Sequence, residues 1–366
     1  MARALRFAVL GAGRIGTLHA TLLARRVEGA ELATVADVDP ARARRLAARL
    51  GVMHLPVDEA IEASADAVAV CASTPVQADL VVAAASAGRH VFCEKPLAQD
   101  LTEIDRAIAA VERAGILLHV GFNRRFDPSH AAVQEAVATG AVGKLHLLRI
   151  TSRDPAPPPP DYAVPGGILL DTTLHDFDMA RFMTRSEVVD VFVRGAARIE
   201  GARQGEWDVD TVVAILRHAD GTITTIDNSW QATYGYDQRV EAFGSNGMAA
   251  SGHQREHQTS IWGARGARSS RLRRFFAERY AEAYERQWSA VITAIRKGGP
   301  ALVDGRDARA ALTIALAAQR SLQHGQPVVV SEPDRGTPAG GGRDPAPRHL
   351  PVGKQTPGLK LEPPSP

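Results

Sequence analysis

Cysteine is scarce: Cys71 and Cys93 are the two in 366 residues, and neither sits in a C-x-x-C pair or a Cys/His cluster. That excludes a disulfide framework and offers no structural zinc site. Charge of one sign is also lacking. The 43 Lys and Arg against 41 Asp and Glu leave a formal charge of +2, too little for a long nucleic-acid footprint. No run of about 18 apolar residues is present to cross a bilayer. The first apolar run ends in a glycine turn, without the length or cleavage pattern of a signal peptide. These absences predict a cytoplasmic chain with no nucleic-acid partner, no membrane partner and no metal. What remains is ordinary globular composition, 45% hydrophobic and 23% charged. The length predicts two domains, each with its own core.

Residues 7–11, FAVLG, form a short apolar run that breaks at glycines, and an Ala/Leu/Arg pattern follows from Ile15 to Arg26. Strand-like and helix-like segments then alternate as far as GILLHVGFN, residues 115–123. Such alternation predicts a parallel sheet with helices on both faces over residues 1–122. Beyond Asn123 the texture changes. Four consecutive prolines at 157–160 cannot lie inside a helix or a central strand. After the helical stretch DTTLHDFDMARFM come runs with β-branched residues separated by D-G and N-G turns, which are antiparallel signals. An α+β domain with a large open sheet is expected over 123–330, closed by helices near 275–297 and 307–322. Residues 331–366 hold nine prolines and six glycines and read as a disordered tail.

Gly11, Gly13 and Gly16 match G-x-G-x-x-G, with Arg14 and Ile15 between the last two. Glycines at this spacing also mark plain turns, so context decides. Here the motif follows an apolar strand, opens a helix, and is followed 21 residues after Gly16 by Asp37 at the end of LATVA. Gly11 would allow a tight turn, Gly13 a close approach of backbone to a pyrophosphate, and Gly16 close packing of helix on strand. The Asp37 carboxylate suits ribose hydroxyls and repels a 2′-phosphate, which favours NAD over NADP. Arg42, Arg44 and Arg45 sit where a basic side chain could accept that phosphate, although solvated helix arginines are the simpler reading.

Glu94-Lys95-Pro96 follows HVFC at the end of a parallel strand, the edge where open α/β sheets bind ligands. From spacing alone Lys95 reads as a surface charge, but beside a nicotinamide it could polarise a substrate hydroxyl. Asp171 and His175 stand four apart, on one face of a helix. Histidine with a nearby carboxylate suits removal of an alcohol proton. An N-capping aspartate and a solvated histidine are the plainer alternative. Phe275, Phe276, Tyr280 and Tyr284 fall at helical spacing and read as core or subunit contact. His119 and His146 lie in apolar runs and read as satisfied core histidines.

Taken together, the fingerprint, EKP, NRRFDPSH, TSRDPAPPPPDY, GGILLDTTLHDFDMARF, IDNSWQATYGYDQRVEAFGSNGM and RRFFAERYAEAY resemble the glucose-fructose oxidoreductase/inositol dehydrogenase/MocA family over about residues 5–330. The resemblance implies a Rossmann domain followed by an α+β domain with a large open sheet, often used to form homotetramers, and a nicotinamide lying between the two domains. It implies that Lys95 touches substrate and cofactor, that Asp171 supplies the carboxylate of D-x-x-x-H, and that His175 is the general acid/base. Ser73, Thr74 and Glu94 join the cofactor-binding set, and Thr172, Asp178 and Tyr236 are implied polyol contacts. The expected reaction is NAD-dependent oxidation of a cyclic polyol, myo-inositol to scyllo-inosose foremost. Another inositol isomer or a pyranose sugar is the alternative within the chemistry, and a non-catalytic dinucleotide-binding sensor is the alternative outside it. Two departures bear on substrate preference. Trp230 stands where polar or basic character is common, and 253–274 is rich in arginine. Arg265, Arg268, Arg271, Arg273 and Arg274 read as a solvated loop before a helix rather than a nucleic-acid patch.

Overall fold

The computed structural model describes residues 3–63, 66–159, 166–199 and 209–330. The tail expected to be disordered, 331–366, lies outside the described residues. The first half alternates strictly: β1 (Leu5–Leu10), α1 (Arg14–Arg25), β2 (Ala30–Ala36), α2 (Pro40–Leu50), β3 (Met53–His54), α3 (Val57–Glu62), β4 (Ala67–Val70), α4 (Thr74–Ser86), β5 (His90–Cys93), α5 (Leu101–Ala114) and β6 (Leu118–Val120). The strands pair in the order β3-β2-β1-β4-β5-β6, all parallel. All four residues of β4 are buried, as expected for a central parallel strand covered on both faces. The helices begin and end where local chemistry dictates. Asp39 and Asp100 accept backbone N–H bonds at the starts of α2 and α5, and Gly51 and Gly115 end them at φ +73° and +64°. The strand order reverses between β1 and β4, which opens a crevice at their C-terminal ends.

β6 is shorter than the run 115–123 predicted, because Asn123 already starts a 3-10 turn, Asn123–Phe126. The second half continues with α6 (Pro128–Ala138), β7 (Leu145–Arg153), α7 (Gly167–Asp171), α8 (Thr173–Thr184), β8 (Val188–Ala196), β9 (Thr211–His218), β10 (Ile223–Ser229), β11 (Asp237–Gly244), β12 (Gly247–Ser251), β13 (Ser260–Gly263), β14 (Gly266–Ser269), α9 (Phe276–Arg279), α10 (Ala281–Lys297), α11 (Gly305–His324) and β15 (Val328–Val329). Seven of these strands form one mixed sheet, β12-β11-β7-β10-β9-β8-β15, antiparallel except where β10 meets β7. Burial along β9 alternates residue by residue, the mark of a sheet with one covered face. Helices α6, α8 and α11 pack on the inner side. The outer side leaves Val213, Ile215, Ile223 and Phe243 exposed.

The chain then returns to the first sheet. Trp288, Val291 and Ile292 of α10 join Phe7, Val9 and Phe92 in a single apolar cluster, with the Phe7 and Trp288 rings edge to face at 5.3 Å. His146 is exposed, not a core residue as expected. Leu145 and Leu147 pair with consecutive residues of β11, so His146 is the extra residue of a β-bulge and turns outward. His119 is fully buried, stacked on Phe92, with Nε2 3.3 Å from Gln287 Nε2. Its Nδ1 has no partner among the described residues, so "satisfied" holds for one nitrogen only. The arginine-rich stretch forms the exposed β13–β14 hairpin, with Trp262 at its surface.

Candidate active site

The glycine turn between β1 and α1 divides its labour as the spacing predicted. Gly11 has φ +111°, and a Cβ there would collide with the Cys71 carbonyl. A Cβ at Gly16 would strike the carbonyl of Gly11, whereas nothing lies within 4 Å of the corresponding point at Gly13. Gly13 therefore faces open space and caps α1 without a side-chain bond, leaving N–H groups at the helix start for an anion. Ser73, Thr74 and Pro75 open α4 beside it, and Ser73 likewise makes no capping bond. Asp37 accepts N–H bonds from Ala12 (2.6 Å) and Asp39 (2.8 Å), so its carboxylate is braced against the turn. Arg42 reaches the same cleft and pairs with Asp39 at 3.3 Å. This turn, its open Gly13 and two uncapped helix starts fit a dinucleotide.

The cleft, about 620 Å³, runs from this turn to the second sheet. Lys95, at the end of β5, reaches into it, and the Lys95-Pro96 peptide is cis. The Lys95 ammonium donates to the Asp171 carbonyl oxygen at 2.8 Å and lies 3.3 Å from Asp171 Oδ1. Asp171 was expected to orient His175 from one helix face. No hydrogen bond joins the two among the described residues, and the Asp171 carboxylate is engaged by Lys95 instead. Asp171 ends α7, Thr172 joins the two helices, and His175 lies in the first turn of α8. Asp171 thus serves the lysine, and it ends a helix rather than capping one. His175 lines the cleft beside them, its ring edge-on to Phe122. Burial, together with the Lys95 and Arg124 cations, holds its pKa well below 6.5, so the imidazole is neutral at working pH. Its Nδ1 is buried with no hydrogen bond among the described residues.

The far wall comes from the second sheet. Thr172 is buried, and Trp230 donates from Nε1 to its hydroxyl at 3.1 Å. Tyr236 lines the cleft with its phenol pushed well above 10 by burial, edge to face with Phe275 at 5.3 Å. Phe275, Phe276, Tyr280 and Tyr284 pack together yet also form the cleft wall, a role their helical spacing alone concealed. Arg14 of the glycine turn stacks on Phe276, 5.1 Å from the ring centre, joining the two sides.

Asp178 does not reach the cleft. It is 1% exposed, accepts from Arg125 Nε at 2.8 Å, and burial raises its pKa despite that partner. On α8 it faces Arg125 and is absent from the residues lining the cavity. Three residues without an assigned role line the cleft instead. Arg124 is held by Ser152 (2.8 Å) and Asp176 (2.5 Å). Asn123 has a buried Nδ2 with no partner among the described residues. Asp154, at the end of β7, makes no side-chain hydrogen bond among them. Its pKa is pushed up to about 7 by burial and by Asp171, against the pull of Arg124 and Lys95.

Residues 5–122 match a family model described as the oxidoreductase family, NAD-binding Rossmann fold, and residues 130–250 match the GFO/IDH/MocA C-terminal domain. The chain is 44% identical over 332 residues to a myo-inositol 2-dehydrogenase of Thermotoga maritima, covering 90% of this chain and 99% of that protein. The crystal structure of a putative myo-inositol dehydrogenase from Sinorhizobium meliloti superposes with a TM-score of 0.86 at 41% identity, covering 90% of this chain and all of that one. A scyllo-inositol dehydrogenase from Lactobacillus casei, solved with NAD(H) and scyllo-inositol, superposes with a TM-score of 0.83 at 25% identity, covering 90% and 99%.

Proposed function

The chain belongs to the Gfo/Idh/MocA oxidoreductase family, and from that premise we propose that it oxidises a secondary hydroxyl of a cyclic polyol with NAD, myo-inositol to scyllo-inosose foremost. The observation that carries this reading is the Lys95–Asp171 contact across the cleft, with His175 lining the same cavity. Gly11, Gly13, Arg14, Ile15, Gly16, Ser73, Thr74 and Glu94 would hold the cofactor, and Asp37 favours NAD over NADP. Bound there, the nicotinamide supplies the hydride acceptor. Lys95 binds the reacting oxygen and stabilises the charge that develops as its proton leaves. His175, neutral through its depressed pKa, accepts that proton. Asp171 aims the ammonium, and the unpartnered Asp154 carboxyl, Thr172 and Tyr236 are placed to bond further hydroxyls. Such a site discriminates strongly, because a ligand lacking those hydroxyls leaves buried polar groups unpaired.

The reading includes a cytoplasmic location, in keeping with two buried cysteines that form no disulfide, and a homo-oligomer, a tetramer by family resemblance. The outer face of the large sheet, with its exposed Val213, Ile215, Ile223 and Phe243, is the surface that suits self-association. The test is kinetic. Lys95→Ala and His175→Ala each lower turnover by about 10²–10⁴-fold while NAD affinity, measured by titration, stays close to that of the unaltered protein. Equal loss of cofactor affinity contradicts these roles.

A further inference from the structure

Lys95 is held at both ends, and the holding of its backbone traces to a helix more than 180 residues away in sequence. Trp288 of α10 donates from its indole Nε1 to His19 Nδ1 at 3.0 Å. An indole N–H can only donate, so His19 Nδ1 must accept, and the imidazole proton resides on Nε2. That N–H donates to Glu94 Oε1 at 2.7 Å. Glu94 Oε2 in turn accepts the Lys95 backbone N–H at 3.1 Å. Trp288 and His19 are 0% exposed and Glu94 7%, so water offers these groups little competition. Phe92 and Tyr284 pack against the imidazole at 4.9 and 5.5 Å, restricting its rotation. Gly121 leaves room for the carboxylate, since a Cβ there would lie 3.0 Å from its oxygens.

We propose that Trp288 and His19 are positioning residues for the dehydrogenase: the indole sets the polarity of a three-bond chain whose last member, Glu94, fixes the backbone of Lys95. This rests on the assignment of Lys95 as the group that binds the reacting oxygen. Glutamine at position 19 can keep the polarity, accepting from the indole through Oε1 and donating to Glu94 through Nε2, whereas leucine of similar bulk can do neither. Asparagine and leucine differ from the native ring in reach or chemistry in ways glutamine does not, which makes His19→Gln the informative partner of His19→Leu.

The experiment is steady-state kinetics of the full chain with NAD and myo-inositol, with the NAD dissociation constant measured separately. His19→Leu lowers kcat about tenfold or more with NAD affinity changed less than about threefold, while His19→Gln stays within about threefold in both. Equal kcat in the two variants overturns the proposal. Should leucine yield no soluble protein, a double-mutant cycle of Trp288→Phe and Glu94→Gln reads the same coupling. In Glu94→Gln the new side chain, accepting from Lys95 through its oxygen, turns its amide N–H toward His19 Nε2–H, donor against donor, and only loss of the indole lets the imidazole change tautomer. Trp288→Phe therefore costs about tenfold in kcat alone and less than about threefold beside Glu94→Gln, whereas additive losses overturn the chain. Full activity of Lys95→Ala contradicts the underlying assignment; an inactive Lys95→Ala beside a fully active His19→Leu contradicts this inference alone.

Discussion

Replacing Asp154 by asparagine tests the electrostatics of the cleft without touching its lysine or histidine. The carboxyl rises from 3.8 to about 7 in the fold, first through burial and then through Asp171. A group whose folded pKa exceeds its unfolded one stabilises the fold while protonated. That contribution is complete below pH 3.8 and is lost as pH rises through about 7. At about 1.4 kcal/mol per pH unit, the unscreened loss is about 4 kcal/mol. Asp154 is half-buried at the cleft wall, and solvent screening reduces this to about 1–2 kcal/mol. Asparagine has no such titration. The melting temperature of Asp154→Asn minus that of the unaltered protein, measured without ligand, should therefore grow from pH 4 to pH 7 and level off above. The growth expected is about 2–4 °C. A difference that is flat with pH, or that shrinks toward alkaline pH, refutes the reasoning.

Two further outcomes follow from the geometry. Gly13→Ala places a Cβ in empty space facing the cleft, so it should weaken NAD binding about tenfold or more by titration while melting within a degree or two of the parent. Gly16→Ala drives a Cβ into the Gly11 carbonyl and should lower the melting temperature as well. Asp178→Asn leaves Arg125 short of a buried counter-charge, with Asp307 its remaining partner at 2.9 Å. It should cost about 1–3 kcal/mol of stability by denaturant unfolding, with cofactor affinity unaltered. Stability equal to the parent contradicts the buried Arg125–Asp178 pair as a stabilising contact.

The Rossmann half was legible because its signals are local. Apolar runs alternate with helical periodicity, and each fingerprint glycine has its own steric reason, visible as a positive φ at Gly11 and a contact at Gly16. The second half was legible in class, through β-branched runs and D-G and N-G turns. What escaped depended on contacts distant in sequence. Asp171 and His175 at i, i+4 implied a pair, but the Asp171 carboxylate is engaged by Lys95, 76 residues earlier, a contact no local spacing announces. Asp178 kept its position in the motif, yet nothing in its surroundings announced Arg125. Asp154 carries no spacing signal of its own. The alternation of β7 could have found it, since it shares parity with the buried Leu148, Ile150 and Ser152. The aromatics from Phe275 to Tyr284 were half-read: apolar spacing identifies a packed face and says nothing of a cleft on its edge.

The most direct test of the central claim is the appearance of reduced nicotinamide when the purified protein receives NAD or NADP with myo-inositol, scyllo-inositol, chiro-inositol, glucose or xylose. Turnover of an inositol, faster with NAD than with NADP, is the predicted result. Tight NAD binding with no turnover of any of these compounds contradicts it.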